Sequence, residues 1–289
     1  MNPILRKIEK GLYHPINSRE ASTLISGILA GVELDNHTRQ ALGERIAGLE
    51  LKLKWNPAAG KTKRLLASPR EFHPLEIAMG FAEEGYLSFG TAVYWSKLTD
   101  QVPSHYYVSI ERKTKAAGRH SAGIDDFYLQ EQFMKPPRET ARQAAYKGNL
   151  YSLLERNATG LLGVTDRSIV FNHKRIRFRI SGLERTLLDC AVFPHRAGGI
   201  RNVIEIFAKA KRRLSIETLM SYYRQLDFTY PYWQRIGLIL EKTAGKIAAQ
   251  AWREEFGEPG FTFYMDRSFK SNWRIDPRWK VAFPPGLFP

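Results

Sequence analysis

The sequence predicts an α+β protein in two parts, a small unit over residues 1–70 and a larger mixed α+β domain over residues 71–289. Three observations lead there. The chain has 289 residues, 43% of them apolar, enough to fill two ordinary cores. Its hydrophobic period switches from helical to alternating near Leu49. Beyond the break at Ser68, Pro69 and Arg70, short extended runs are interspersed with helical ones and no repeat emerges.

The elements follow in order. Pro3 to Lys10 sets Ile4, Leu5 and Ile8 on one side of a helix, and Gly11 stops it. Asn17 with Glu20 three residues later is a capping-box pattern, opening a helix through Ala30 that buries Ala21, Leu24, Ile25 and Ile28 and ends at Gly31. Asp35 caps a third helix with the stripe Leu42, Ile46, Leu49. Leu49 to Trp55 alternate as a half-buried strand, Asn56 to Gly60 read as a loop, and Thr62 to Ala67 form a second extended run. Three helices followed by a hairpin is the order of a winged helix-turn-helix, in which the last helix enters the major groove and the wing lies along the phosphates.

In the larger part, Tyr106 to Ile110, Ser168 to Phe171 and Ile176 to Ile180 read as extended. Thr91 to Lys97, Leu183 to Ala191, Asn202 to Ala210, Ile216 to Gln225 and Tyr232 to Ala244 read as helical. Arg112 to Gly123 is a basic, small-residue stretch expected as an exposed loop, and the tail from Glu258 is expected in irregular or short β form.

Charge narrows the function. Forty-four Lys and Arg against 29 Asp and Glu give a net charge of +15 and a pI near 9.9, which calls for a polyanionic partner, nucleic acid first. No apolar run of about 18 residues is present to span a bilayer, and no signal-peptide core follows the N-terminus, so a soluble cytoplasmic protein is expected. Cys190, the lone cysteine, sits in an apolar run and reads as a small core residue.

The first seventy residues hold twelve basic and six acidic side chains. Thr38, Arg39 and Arg45 on the polar side of the third helix, and Lys52, Lys54, Lys61, Lys63 and Arg64 on the hairpin, are therefore the candidate DNA contacts. An Arg fork reads guanine O6 and N7 while Lys suits phosphate, so the helix would specify and the wing would position; the plainer alternative is a set of solvated faces. Arg201, Lys209, Lys211, Arg212 and Arg213 make a second basic cluster around a helix end, either offsetting its dipole or forming a second nucleic-acid surface.

An enzyme reading rests on Asp100 with Glu111, Arg112 and Lys113, the Asp then Glu-x-Lys pattern of a metal-dependent nuclease, a spacing that chance also supplies in a charged chain. The seven histidines are scattered without i, i+4 pairing, no Gly-rich phosphate loop is present, and Gly198-Gly199 reads as a tight turn, so neither a metal nor a cofactor is called for. Glu184 and Asp189, five apart, suit capping and pairing with an Arg from another element better than joint acid–base work.

Two blocks, Gly85 to Pro103 (GYLSFGTAVYWSKLTDQVP) and Ser181 to Cys190 (SGLERTLLDC), resemble the C-terminal domain of AbiEi-type antitoxins. The resemblance runs from about Phe72 to the C-terminus. His73, Pro74, Ile77 and Ala78 look like its opening helix, Tyr86, Ser88, Ala92, Leu98, Thr99, Gln101 and Pro103 match its distinctive block, and Glu184, Leu187, Leu188, Asp189, Gly198, Gly199, Arg235, Ile236, Gly237, Leu240 and Glu241 follow in order. Arg185 stands where the family has Lys, and Thr114 to Thr159 is longer and more helical than the family's β meander. The resemblance implies an N-terminal winged helix that represses its own operon at inverted repeats, and a C-terminal domain countering a nucleotidyltransferase-like toxin with which no stable complex generally forms. The alternatives are a metal-dependent nucleic-acid-processing enzyme and a transcription factor with a sensing C-terminal domain.

Overall fold

A computed structural model of the chain describes residues 3–12, 15–55, 61–67, 70–82, 84–113, 124–267 and 272–288, without the side chains of 51–55 and 61–64. The fold is α+β. Helices α1 (Pro3–Gly11), α2 (Ser18–Leu29) and α3 (Asn36–Gly48) come first, then the hairpin β1 (Glu50–Trp55) and β2 (Lys61–Leu66). The Asn17–Glu20 capping box is closed in both directions, and Asp35 caps α3 by accepting from the Thr38 N–H at 2.8 Å. Ile16, between α1 and α2, bridges Leu66 with hydrogen bonds of 3.0 and 2.9 Å, adding a third short strand to the hairpin. This helix–strand–helix–helix–hairpin order is consistent with a winged helix. Its core is Leu5, Ile8, Leu12, Ile16, Ala21, Leu42 and Leu66, with Leu24, Ile25, Ile28, Ile46 and Leu49 packed against them.

The sheet runs on across residue 70. β1 pairs with β5 (Gln143–Tyr146) through Lys54 and Trp55 opposite Ala145 and Ala144. Strands β3 (Tyr86–Leu87), β4 (His105–Glu111), β6 (Asn149–Arg156), β7 (Val164–Phe171) and β8 (Lys174–Ser181) complete an eight-stranded mixed sheet in the order β2-β1-β5-β6-β4-β3-β8-β7. Adjacent residues of β2 point into different cores, as strand alternation requires: Leu66 into the N-terminal unit and Leu65 into the sheet's own core.

The central strands β4 and β6 are buried on both faces. Tyr106, Val108, Tyr151 and Leu153 pack under α4 (Pro74–Met79), while Tyr107 and Leu154 face Phe89 at the start of α5 (Phe89–Trp95). Beyond that second face lies a helical layer of α6 (Asp126–Met134), α7 (Leu183–Val192), α8 (Ile200–Ala210), α9 (Ile216–Leu226), α10 (Tyr232–Thr243) and α11 (Lys246–Phe256), sharing the largest core. The tail adds a three-stranded sheet of β9 (Phe263–Tyr264), β10 (Arg274–Asp276) and β11 (Val281–Phe283), the short β form expected. Of the stretch 114–159, residues 114–123 lie outside the described residues, and the rest folds as α6 and the β5–β6 hairpin. Cys190 is fully buried, and burial pushes its thiol pKa up, as a core residue's should be.

Candidate nucleic-acid interface

Helix α3 is held to the N-terminal unit by a narrow stripe: Leu42 is buried, Thr38 and Ile46 are half-buried, and the other residues from Asn36 to Gly48 are exposed. At roughly 100° per residue, Arg39 and Arg45 fall about 60° to either side of Leu42, on the shoulders of the helix. Arg45 makes no hydrogen bond or ion pair among the described residues, and Arg39 only a 3.5 Å contact from Nη2 to the Leu34 carbonyl. The outward face carries His37, Gln40 and Glu44, with Gln40 Nε2 donating to Glu44 Oε1 at 3.2 Å. These were not singled out in the sequence, where only charge marks a contact; the helical angle finds them. Thr38 Oγ1 donates to Asp35 Oδ2 at 2.8 Å, so its hydroxyl serves the cap. The Thr38 hydrogen bonds also hold the Asp35 carboxylate below its ordinary pKa.

On the hairpin, Lys52 sits opposite Arg64 and Lys54 opposite Thr62, while Lys61 and Lys63 lie opposite Trp55 and Leu53. The side chains of all five basic candidates lie outside the described residues, as does the connecting loop 56–60. The second cluster is not one surface of unengaged cations. Arg201 Nη1 donates to the Gly286 carbonyl at 3.1 Å and Arg213 Nη1 to the Ser96 carbonyl at 2.8 Å, which ties α8 to the tail and to the end of α5. Lys209, Lys211 and Arg212 remain exposed at the C-terminal end of α8, where they face its carbonyl dipoles.

The two blocks quoted above meet in the interior. Arg185, 1% exposed, donates from Nε to Asp189 Oδ2 at 3.1 Å, from Nη1 to the Leu162 carbonyl at 2.8 Å and from Nη2 to Tyr86 Oη at 3.1 Å. Asp189 also accepts Arg156 Nη2 from β6 at 2.6 Å, and Glu184 accepts the Ser215 N–H at 3.1 Å, so both acids of α7 do structural work. Burial, the largest influence, would lower the Arg185 pKa, but Asp189 together with Tyr86 and Glu111 raises it above its ordinary value and holds the guanidinium charged. Removing Asp189 would strand two buried cations, a loss of about 3–5 kcal/mol.

A cavity of about 270 Å³ opens beside this cluster, lined among others by Arg156, Arg185, Thr159, Phe193, Phe228 and Tyr230. Arg156 engages one N–H in its bond to Asp189 and lies 5.3 and 5.2 Å from the ring centroids of Phe89 and Phe193. Sequence spacing gave no sign of this pocket, because its lining comes from β6, the following loop, α7 and the segment after α9.

The residues of the nuclease pattern are placed apart in function. Glu111 accepts the Thr159 N–H at 2.8 Å and the Leu161 N–H at 3.1 Å, together with the Thr159 hydroxyl, and thereby organises the loop before β7. Burial would raise its pKa, but these bonds and Arg185 hold the carboxylate below its ordinary value. Asp100 is exposed, and no group of three or more His, Cys, Asp or Glu among the described residues is arranged to hold a metal ion. No helix among them is long and apolar enough to cross a membrane.

No family model and no curated protein matches this chain. Among solved structures it is similar to the crystal structure of the RV2827C protein from Mycobacterium tuberculosis, with a TM-score of 0.52 at 14% identity over 98% of this chain and 92% of that one, a likeness of fold across both parts of the molecule.

Proposed function

We propose that this protein is a DNA-binding antitoxin that represses transcription of its own operon, at inverted repeats, and counters a nucleotidyltransferase-like toxin. The observation that carries the DNA-binding half is α3: a helix anchored by Leu42 alone among its fully buried residues, its polar face outward, followed by a basic hairpin in a chain of net charge +15. In this reading α3 lies in the major groove, Gln40 and His37 meet base edges, and Arg39 and Arg45 grip the phosphates on either side. The antitoxin half rests on the blocks Gly85–Pro103 and Ser181–Cys190, whose Tyr86, Arg185 and Asp189 build one buried cluster.

The test is binding to a duplex carrying the protein's own promoter across a salt series. Arg39→Ala with Arg45→Ala should weaken binding to all sequences and lower the salt slope by about 2, whereas Gln40→Ala should cost about 1–3 kcal/mol of discrimination at one position of each repeat. Unchanged affinity in both variants would overturn the assignment of α3. For the second half, co-expression should relieve the growth arrest caused by a nucleotidyltransferase-like toxin encoded beside this gene. The cavity at Arg156 favours one other reading, a transcription factor with a sensing C-terminal domain, for which a small anion releasing the operator would be the signature.

A further inference from the structure

The β7–β8 hairpin, at the opposite edge of the sheet from β1–β2, is a second cationic ribbon. Its eighteen residues, 164–181, hold five basic side chains and one acid. The hairpin turns through Asn172 and His173, both at positive φ (47° and 60°), the two-residue turn whose twist matches the strands. Alternation then sorts the side chains. Ile176, Phe178 and Ile180 are buried in the sheet core, and Arg175, Arg177 and Arg179 take the other face, with Arg175 and Arg177 exposed. Across the pair they face Val170 and Ser168, with Asp166 opposite Arg179 only. Arg175 and Arg177 make no hydrogen bond or ion pair among the described residues.

Two unengaged, exposed guanidinium groups on one face without an opposing acid set up a local positive field that suits an anionic partner. Their spacing is informative: two residues of antiparallel strand span about 6.8 Å, twice the ~3.4 Å axial step between phosphates of one DNA strand. Val170, directly opposite Arg175, is 71% exposed, an apolar surface suited to sugar or a thymine methyl. From β2 to β7 the strand order leaves seven spacings of about 4.8 Å, or about 34 Å along the sheet, close to one turn of B-DNA.

We propose that the β7–β8 ribbon, through Arg175 and Arg177, is a second duplex-DNA contact that grips backbone phosphates flanking the site held by α3. This rests on the DNA-binding reading above, and the experiment separates the two. Full-length protein is titrated against two duplexes, one confined to the promoter repeats and one extended by about 12 bp at each end, at several salt concentrations. The wild type should bind the longer duplex about tenfold more tightly, with a salt slope steeper by about 2. Arg175→Gln with Arg177→Gln should abolish that gain and leave the short duplex and the thermal midpoint unchanged, whereas Arg175→Lys with Arg177→Lys should keep it, since a phosphate takes a point charge. If the glutamine pair retains the full gain, or loses a structured RNA in place of the long duplex, the ribbon assignment falls while the α3 reading stands. If the wild type binds neither duplex, both fall.

Discussion

Single residues in this protein carry consequences out of proportion to their number, because several polar groups are sealed inside it. Arg235 is fully buried, and its hydrogen bonds among the described residues all go to carbonyls: Nη1 donates to the Ala191 carbonyl at 2.7 Å, Nε and Nη2 to that of Tyr264 at 3.1 and 2.6 Å, and the Phe263 ring lies 5.2 Å away. Burial pushes its pKa down to about 10, still charged at neutral pH. The histidines behave differently. Burial and then Arg196 drive both His105 and His195 down to about 4, so both rings are neutral at pH 7, and the 3.6 Å approach of His195 to Glu139 is a contact rather than an ion pair. His105 Nε2 meanwhile lies 2.7 Å from Ser152 Oγ.

The sign of the resulting pH dependence is fixed. With folded pKa values near 4 and an ordinary value of 6.5, the unfolded chain takes up these protons first as pH falls. The stabilisation is whole above about 6.5 and is lost progressively between 6.5 and 4. His73 is shifted the same way, and Glu111, lowered from 4.5, adds its loss only below that value. Urea midpoints measured at pH 7, 6 and 5 should fall in step, by an amount on the order of 1 kcal/mol per buried ring once partial exposure is allowed for. A His105→Phe variant should flatten the dependence, and a midpoint constant down to pH 5 would contradict it.

At the scale of elements, close packing decides what each helix and strand tolerates. Helix α10 reaches the turn between β10 and β11 by having no side chain at Gly237: a Cβ there would stand 2.1 to 2.5 Å from three atoms of the Trp279 ring. That ring cannot yield, being fully buried and tied by Nε1 to Glu241 Oε2 at 2.7 Å and through its carbonyl to Gln234 Nε2 at 2.8 Å. Gly237→Ala gains about 1 kcal/mol of helix propensity but should lose more to overpacking, for a net cost of about 1–2 kcal/mol and a drop of about 5 °C in Tm. A calorimetric midpoint at or above wild type would show that the helix slides freely.

The same packing explains which elements the sequence announces. The caps at Asn17 and Asp35, and the alternation of β8, are local chemistry and read correctly in advance. β6 does not, because Tyr151, Ser152, Leu153 and Leu154 are all buried between two layers and the period of two disappears. α11 hides for the opposite reason: it buries only Ala249 and Trp252, too little for a helical stripe. On the candidate interface the charges of Arg39 and Arg45 are visible as letters. Their position on the shoulders of α3, and the place of Gln40 between them on the open side, emerge only once Leu42 fixes which way the helix faces.

The molecule as a whole is organised around one sheet that serves both parts. β2 gives Leu66 to the N-terminal core and Leu65 to the sheet core, Ile16 bridges into it, and a Cβ on Gly80 would lie 2.8 Å from the Pro15 carbonyl. A chain cut after residue 70 therefore exposes Leu65 and leaves β1 with an open edge where β5 had paired. Such a fragment should oligomerise or unfold at concentrations where the full chain is monodisperse, as size-exclusion chromatography and circular dichroism would report. A well-behaved, cooperatively melting fragment would show that its helices suffice.

Eight strands bonded edge to edge act mechanically as one plate, and a plate transmits tilt. Whatever seizes the helical layer or the far rim has a lever on the three leading helices through the β1–β5 pairing. Under the proposed function, operator occupancy and engagement of the C-terminal half would be two loads on a common beam, and neither could be altered without the other feeling it.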